Sequence, residues 1–131
     1  MTRRAYFDSS ALVKLVVREP ETGALQAFVR RRTGRSSCAL ARVEVVRAVR
    51  RHGMPAIGRA RQLVDRFELV RIDDALLDAA ALLPVEGLRS LDAIHLAAAQ
   101  RLGSDLSVLV SYDERMLTAA RGLRIPVASP R

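Results

Sequence analysis

The chain has 131 residues, half of them hydrophobic, which is enough to build one packed core and argues against a disordered polypeptide. Its formal net charge is +8, and because lysine occurs only at Lys14, arginine supplies almost all of the positive charge. The single cysteine, Cys38, excludes an internal disulfide, and no signal peptide or membrane-spanning segment is expected, so the sequence predicts a cytoplasmic protein.

Strands and helices are predicted to alternate from the N-terminus. A short apolar run predicts a first strand at residues 4–7, which ends at Asp8. Apolar residues at helical spacing predict a helix at residues 9–17 and, after the break at Pro20, a second helix at residues 21–32. The same criteria predict, in order, a weakly indicated strand at 35–39, helices at 41–51 and 55–66, a strand at 68–72 and a helix at 74–83.

The C-terminal third continues this alternation. Ser90 is predicted to be the N-cap of a helix at residues 91–102, which Gly103 closes. The buried stripe of this helix is expected to consist of Leu91, Ile94, Ala98 and Leu102. A strand at 107–111, a helix at 114–120 and a last short strand at 125–127 complete the prediction.

Alternating strands and helices are typical of an α/β fold in which helices cover both faces of a parallel sheet. Neither an internal repeat nor a low-complexity linker interrupts the pattern. We therefore expect residues 1–131 to form a single domain with a central parallel sheet of four to five short strands between two helical layers.

Four acidic residues lie where such a fold would form a site, because ligands bind beyond the carboxyl ends of parallel strands. Asp8 follows the first predicted strand, and Asp113 follows the strand that ends at Ser111. Asp92 lies in the first turn of its helix, and Glu44 lies early in the helix after the weak strand. Asp113 and Asp92 individually have ordinary explanations, as an N-cap and as a charge at a helix N-terminus. Asp8 is more informative, because an acid that closes an apolar strand has little structural reason to be there.

Carboxylates that share one cleft repel each other unless a cation compensates their charge. Oxygen ligands favour Mg²⁺ or Mn²⁺, whereas zinc prefers histidine and cysteine, of which this chain has only His52, His95 and Cys38. Carboxylate-bound magnesium is suited to cleaving phosphodiester bonds, because it can activate water and neutralise the leaving oxygen. The four acids therefore favour a metal-dependent reaction on phosphodiesters.

Three sequence segments around these acids resemble PIN-domain nucleases. The segment FDSSALVK at residues 7–14 is similar to the opening motif of the family, and RSLDAIHLA at residues 89–97 is similar to its central motif. The segment SYDERML at residues 111–117 is similar to the closing motif, and Glu44 fits the remaining acidic position. The resemblance extends over essentially the whole chain and is greatest to the VapC-type toxins of toxin–antitoxin pairs.

The resemblance implies a PIN-like three-layer α/β/α fold and an endoribonuclease that depends on Mg²⁺ or Mn²⁺. It implies that Asp8, Asp92 and Asp113 provide most of the metal contacts, with Glu44 completing the site or orienting the attacking water. It also implies cleavage of structured RNA such as transfer or ribosomal RNA, a homodimer, and inhibition by a small VapB-type antitoxin. Ser111 is expected to steady Asp113 or a metal-bound water, and Ser9 or Ser10 to do the same beside Asp8, unless they only cap a helix.

Other residues have competing interpretations. The basic run Arg30, Arg31, Arg32 and Arg35 would contact RNA phosphates or an acidic antitoxin segment, or would only be a solvated helix end. The arginine content itself fits a nucleic-acid or acidic-protein partner and a GC-rich genome equally well. His95 follows Asp92 by about one helical turn, but the apolar residues around it favour a packing role.

Three alternative functions remain open at this point. In the first alternative, the domain is a non-catalytic module that binds RNA or a partner, although intact acids at all four positions argue against this. An aspartate-based phosphotransfer protein fits poorly, because a phosphatase would require a second aspartate where this chain has Ser10, and a receiver would require a late lysine. A PIN nuclease that acts on DNA flaps or in RNA maturation is the third, and the short chain favours a toxin instead.

Overall fold

The computed structural model describes residues 3–131. Strands and helices alternate along these residues as predicted, and each predicted element is present with bounds that differ by at most two residues. The elements are β1 (Arg4–Phe7), α1 (Ser9–Val16), α2 (Thr22–Arg30), β2 (Gly34–Cys38), α3 (Ala41–Val49), α4 (Met54–Val64), β3 (Glu68–Val70), α5 (Asp74–Ala81), α6 (Ser90–Arg101), β4 (Leu106–Val110), α7 (Glu114–Gly122) and β5 (Val127–Ala128). Short 3₁₀ turns follow α3 and α6. No helix in this part of the chain is long and apolar enough to cross a membrane.

The five strands form one parallel sheet in the order β3-β2-β1-β4-β5. The central strand β1 pairs with β2 on one side and with β4 on the other, so that Tyr6 is in register with both Ser36 and Leu109. The chain first builds outward from β1 to β3 and then returns to add β4 and β5 on the opposite side. The boundary between β1 and β4 is therefore the topological switch point, where α/β sheets form their crevices.

Helices cover both faces of the sheet, as the predicted three-layer architecture requires. Successive residues of a strand point to opposite faces, and Ala5 and Phe7 accordingly pack against α1 to α4, whereas Tyr6 packs against α5 to α7. The three phenylalanines meet in the first of these cores, where the ring of Phe7 lies 5.4 Å from Phe67 and 6.3 Å from Phe28.

Helix α6 corrects two predictions. Arg89, not Ser90, occupies the N-cap, with extended backbone and no side-chain cap hydrogen bond, and Ser90 is the first helical residue. The predicted buried stripe is wrong at Leu91, which is 49% exposed, whereas Ala98 is buried and Ile94 and Leu102 are partly buried against the core. The residues of α6 that are buried are His95, Leu96, Ala97, Ala98 and Ala99. This helix contacts α5, α7 and the sheet together, so that its second half is enclosed on several sides and does not bury a single stripe.

Candidate functional site

The four predicted acids all lie at the carboxyl edge of the sheet. Asp8 directly follows β1, and Asp113 caps α7 after the end of β4. Glu44 and Asp92 lie in the first turns of α3 and α6 respectively. The fold therefore brings residues that are up to 105 positions apart to one edge, around the switch point between β1 and β4.

Asp8 is the most enclosed of the four acids, with 3% of its surface exposed. Its Oδ1 accepts hydrogen bonds from the Ser10 hydroxyl at 2.6 Å and from the Ala11 backbone N–H at 3.1 Å, and the latter makes it the N-cap of α1. Its Oδ2 accepts a hydrogen bond from the Ser111 hydroxyl at 2.5 Å. Burial raises the pKa of Asp8, and the hydroxyls of Ser10 and Ser111 oppose this rise. The carboxyl group is thus held in one orientation.

Ser10 and Ser111 also bind the loop that follows β4. The Ser10 hydroxyl accepts a hydrogen bond from the backbone N–H of Tyr112 at 3.0 Å, and the Ser111 hydroxyl accepts one from that of Asp113 at 3.0 Å. Both serines therefore join Asp8 to the segment that carries Asp113. This agrees with their predicted positions beside the two acids, and Ser10 is not a helix cap, because Asp8 occupies the N-cap of α1.

Glu44 is held by two donors from other elements. Its Oε1 accepts a hydrogen bond from the Ser9 hydroxyl at 2.7 Å and lies 2.7 Å from Nε2 of His95. Burial works to raise the pKa of Glu44, but the hydrogen bonds from His95 and Ser9 outweigh it and hold this pKa below its usual value. Glu44 is therefore ionised at neutral pH. Ser9, the residue directly after Asp8, links it to the start of α1.

His95 is not the packing histidine that its apolar neighbours in the sequence indicate. It is 2% exposed, and both ring nitrogens have polar contacts, with Nε2 on Glu44 and Nδ1 at 2.7 Å from the hydroxyl of Tyr6. The sulfur of Cys38 lies 3.6 Å from the same Nδ1. Burial alone would lower the pKa of His95, but its contacts with Cys38 and Glu44 raise it. Sequence reasoning missed this network because its members lie up to 89 residues apart.

Asp92 has a carboxylate oxygen without a hydrogen-bond partner. Its Oδ2 is buried and unpaired, and the nearest cation, Nε of the exposed Arg89, lies 3.8 Å away. Burial raises the pKa of Asp92, and the charges of Asp113 and Glu44 raise it further. Three acids thus repel each other at this edge. Asp113 itself uses Oδ1 to accept a hydrogen bond from the Arg115 backbone N–H at 2.9 Å, as the predicted N-cap of α7 does.

The acids approach each other without forming a closed metal cage. Within residues 3–131, no three side chains of His, Cys, Asp or Glu converge closely enough to hold a metal ion. The donor set nevertheless suits a hard cation, because it offers oxygen atoms, a buried unpaired oxygen and unbalanced negative charge. A cation at this edge would require the acidic side chains to approach each other more closely than they do here.

Replacing Asp92 by asparagine is expected to stabilise the metal-free protein. The change removes the cost of burying the charge and the repulsion with Asp113 and Glu44, and we expect a gain of only roughly 0.5 kcal/mol in the free energy of unfolding, because water screens partly exposed charges. Because the pKa of Asp92 is higher in the folded than in the unfolded protein, the ionised carboxylate destabilises the fold above the folded-state pKa. Below the unfolded-state pKa the carboxyl group is protonated in both states, and this cost is absent. The gain should therefore disappear as the pH falls through this range, which urea denaturation in EDTA at several pH values would measure.

The predicted basic run lies at the opposite edge of the sheet. Arg30 and Arg31 end α2 and are exposed, and Arg35 is the second residue of β2, at its amino end. The guanidinium group of Arg32 stacks on Phe28, 4.2 Å from the ring centre. These arginines are therefore separated from the acids by the length of the sheet, and none of them is placed beside the acidic cluster.

Comparisons with known proteins identify the family of this chain. The family model for the PIN domain matches residues 5–122. Ribonuclease VapC46 of Mycobacterium tuberculosis (strain ATCC 25618 / H37Rv) is 52% identical over 126 residues, which cover 95% of this chain and 96% of that protein. Ribonuclease VapC47 of M. tuberculosis (strain CDC 1551 / Oshkosh) is 39% identical over 130 residues, with the same coverage of 95% and 96%.

Two solved structures share the fold at low sequence identity. VapC20 of M. tuberculosis, a toxin that cleaves the sarcin–ricin loop, matches with a TM-score of 0.74 at 15% identity, over 88% of this chain and 94% of that one. A toxin–antitoxin complex from Klebsiella pneumoniae matches with a TM-score of 0.70 at 21% identity, over 97% and 98% of the two chains. With the family match and the two close relatives, these findings show that the chain belongs to the PIN domain family and, within it, to the VapC ribonucleases.

Proposed function

We propose that this protein is a metal-dependent endoribonuclease and the toxin of a toxin–antitoxin pair. The observation that carries the proposal is the group of acids at the switch point, where Asp8 is fixed by two serine hydroxyls and Asp92 keeps an unpaired buried oxygen. Such an edge of an α/β sheet is where ligands bind. The relatives named ribonuclease VapC support RNA as the substrate.

In this proposal, Asp8, Asp92 and Asp113 would hold Mg²⁺ or Mn²⁺, and Glu44 would complete the site. The bound ion would supply activation of water and neutralisation of the leaving oxygen. The oxygen-only donor set and the repulsion around Asp92 support this assignment, because a divalent cation would relieve both. Residues 1–131 would act as one nuclease domain.

The protein's own side chains would orient the reactants. Glu44 is held ionised by His95 and Ser9, so its carboxylate is available to align a water molecule and accept its proton. Attack of this water on phosphorus would break the bond to the 3′ oxygen and leave a 5′-phosphate and a 3′-hydroxyl. No side chain needs to form a covalent bond with the substrate in this scheme.

Structured RNA, such as transfer or ribosomal RNA, is the proposed substrate class. The similar fold of VapC20, which cleaves the sarcin–ricin loop, supports a structured target. Arg89, with 67% of its side chain exposed, lies beside Asp92 and is well placed for a phosphate group near the acids. The predicted run Arg30 to Arg35 is instead on the far edge, where a longer RNA or an acidic antitoxin segment would reach it.

A cognate VapB-type antitoxin is the proposed partner, and a homodimer is the proposed assembly. The toxin–antitoxin complex among the structural neighbours supports the first of these. The net charge of +8 would favour binding of an acidic antitoxin segment as well as of RNA.

The proposal is tested by cleavage of total cellular RNA with purified protein freed of antitoxin. We expect discrete fragments with Mg²⁺ or Mn²⁺, no cleavage in excess EDTA, and recovery when Mn²⁺ is restored. Fragment ends should carry a 5′-phosphate, which ligation to an adaptor that requires this group would detect. A folded protein that binds RNA but never cleaves it with either metal would instead establish a binding module.

A further inference from the structure

A buried hydrogen-bonded chain connects the sheet to Glu44. Tyr6 lies on β1 two residues before Asp8, His95 lies on α6, and Glu44 lies on α3. The Tyr6 hydroxyl is 2.7 Å from Nδ1 of His95, and Nε2 of His95 is 2.7 Å from Oε1 of Glu44. Tyr6 is fully buried, and its ring meets the imidazole edge-to-face with 5.9 Å between the ring centres. This series of hydrogen bonds therefore begins at Tyr6 in the buried core and ends at Glu44, a predicted site residue.

The two contacts of His95 fix the orientation of its ring. The ring nitrogens lie on different edges of the imidazole, so rotation that preserves one contact breaks the other. Nε2 donates its proton to Oε1 of Glu44, and Nδ1 shares a hydrogen bond with the Tyr6 hydroxyl, as acceptor when the imidazole is neutral and as donor when it is protonated. A ring held at both ends offers its N–H to one place only, and Oε1 of Glu44 occupies that place.

A packing role alone does not account for this arrangement. An imidazole buried to 98% requires hydrogen-bond partners that an aliphatic side chain of similar size would not. His95 lies one helical turn after Asp92, and so on the same side of α6. The imidazole is thus buried beneath the acidic residues and contacts one of them, Glu44, directly.

We propose that His95 is a positioning residue, which holds Glu44 in place for metal binding through its Nε2–H, with Tyr6 as the anchor of the ring. This inference rests on the proposed metal-dependent function. Hydrogen-bond partners of metal-binding groups typically change metal affinity about 10–100-fold when they are removed. We therefore expect His95 to be required for the affinity of the site and not only for the stability of the fold.

Two substitutions of His95 separate positioning from packing. His95→Gln keeps an N–H donor near the position of Nε2, whereas the shorter asparagine in His95→Asn leaves its amide out of reach of Glu44. We expect His95→Asn to weaken Mn²⁺ binding by about 10–100-fold and His95→Gln to retain most of it. Isothermal titration calorimetry with Mn²⁺ alone, on full-length protein freed of antitoxin, measures this without RNA. His52→Asn is the matched control, because His52 is exposed and, within residues 3–131, its side chain hydrogen-bonds only to Arg51.

A double-mutant cycle tests whether His95 acts through Glu44. In a Glu44→Gln background, His95→Asn should cause little further loss of Mn²⁺ affinity, since the group that it positions is already altered. Tyr6→Phe removes only the anchoring hydroxyl and keeps the aromatic ring, so it provides a milder variant if His95→Asn does not fold. We expect this variant to lose part of the Mn²⁺ affinity, with the imidazole still present.

The outcomes distinguish this inference from the proposed function. If the parent protein does not bind Mn²⁺, the proposed function is wrong and the inference fails with it. Parental Mn²⁺ affinity in folded His95→Asn would overturn the inference alone, as would equal losses in the Gln and Asn variants, since only side-chain volume would then matter. Unchanged affinity in Tyr6→Phe would remove Tyr6 from the assignment.

Discussion

Replacing Asp8 by asparagine is expected to abolish RNA cleavage and leave the fold intact. The rate should fall by more than about 100-fold, because removing a metal-binding group should lower the rate more than removing a group that only orients such a group. The fold should persist because asparagine is as good an N-cap as aspartate and can still accept the hydrogen bond from Ala11. The hydroxyls of Ser10 and Ser111 can rotate to meet the amide. Initial rates on one RNA substrate in Mn²⁺, with circular dichroism for the fold, measure both effects.

Asp73→Asn is a matched control for this experiment. Asp73 caps α5 as Asp8 caps α1, accepting a hydrogen bond from the backbone N–H of Leu76 at 2.8 Å, and it also pairs with Arg101 at the surface. The variant should keep close to the parental stability, because water screens this surface ion pair, and should cleave at the parental rate. Asp8→Asn protein that cleaves as fast as the parent would overturn the assignment of Asp8.

Replacing Phe7 by alanine is expected to cause the largest loss of stability of any change discussed for this chain. Phe7 is fully buried between the rings of Phe28 and Phe67, at the centre of the core that α1 to α4 build on the sheet. A Phe→Ala change in such a site costs about 3–5 kcal/mol, because apolar area and ring contacts are lost and a cavity remains. Equilibrium urea denaturation measures the loss in the free energy of unfolding.

Leu82→Ala is the control for a hydrophobic truncation outside the core. Leu82 follows α5 and is 82% exposed, so its removal should change the free energy of unfolding by less than about 0.5 kcal/mol. Similar losses for Phe7→Ala and Leu82→Ala would contradict the position of Phe7 at the centre of the core. The Asp8 and Phe7 predictions concern adjacent residues. Phe7 is the last residue of β1 and packs in the core, whereas Asp8 directly follows the strand at the site, so the first change should affect activity and the second stability.

The positions of strands and helices were largely predictable, because hydrophobic periodicity and capping residues are local properties. Helix α6 is the exception, since its burial depends on neighbours that the periodicity does not contain. The buried run Ala97 to Ala99 lies in a helix that contacts α5, α7 and the sheet, whereas Leu91 in its first turn is exposed. Local spacing therefore predicted that α6 exists and that Ala98 is buried, but it missed the burial of His95, Leu96, Ala97 and Ala99.

The four acids of the candidate site were predictable from the sequence, but the groups that hold them in place were not. Asp8, Glu44, Asp92 and Asp113 were recognisable because charged residues at strand ends and helix starts are conspicuous and the surrounding motifs resemble a known family. His95 was assigned to packing because its neighbours in sequence are apolar. Its actual partners, Tyr6, Cys38 and Glu44, come from three other elements.

By itself, the sequence determined the parallel α/β class, the order of the elements and the four acids, since each depends on residue type and short-range spacing. Only the tertiary structure decided that two serines orient Asp8, that Asp92 keeps an unpaired oxygen, and that the basic run lies at the far edge from the acids. The physical reason is that hydrogen bonds and charge repulsion act through space over a few ångströms, and the folded chain brings together residues that are far apart in sequence.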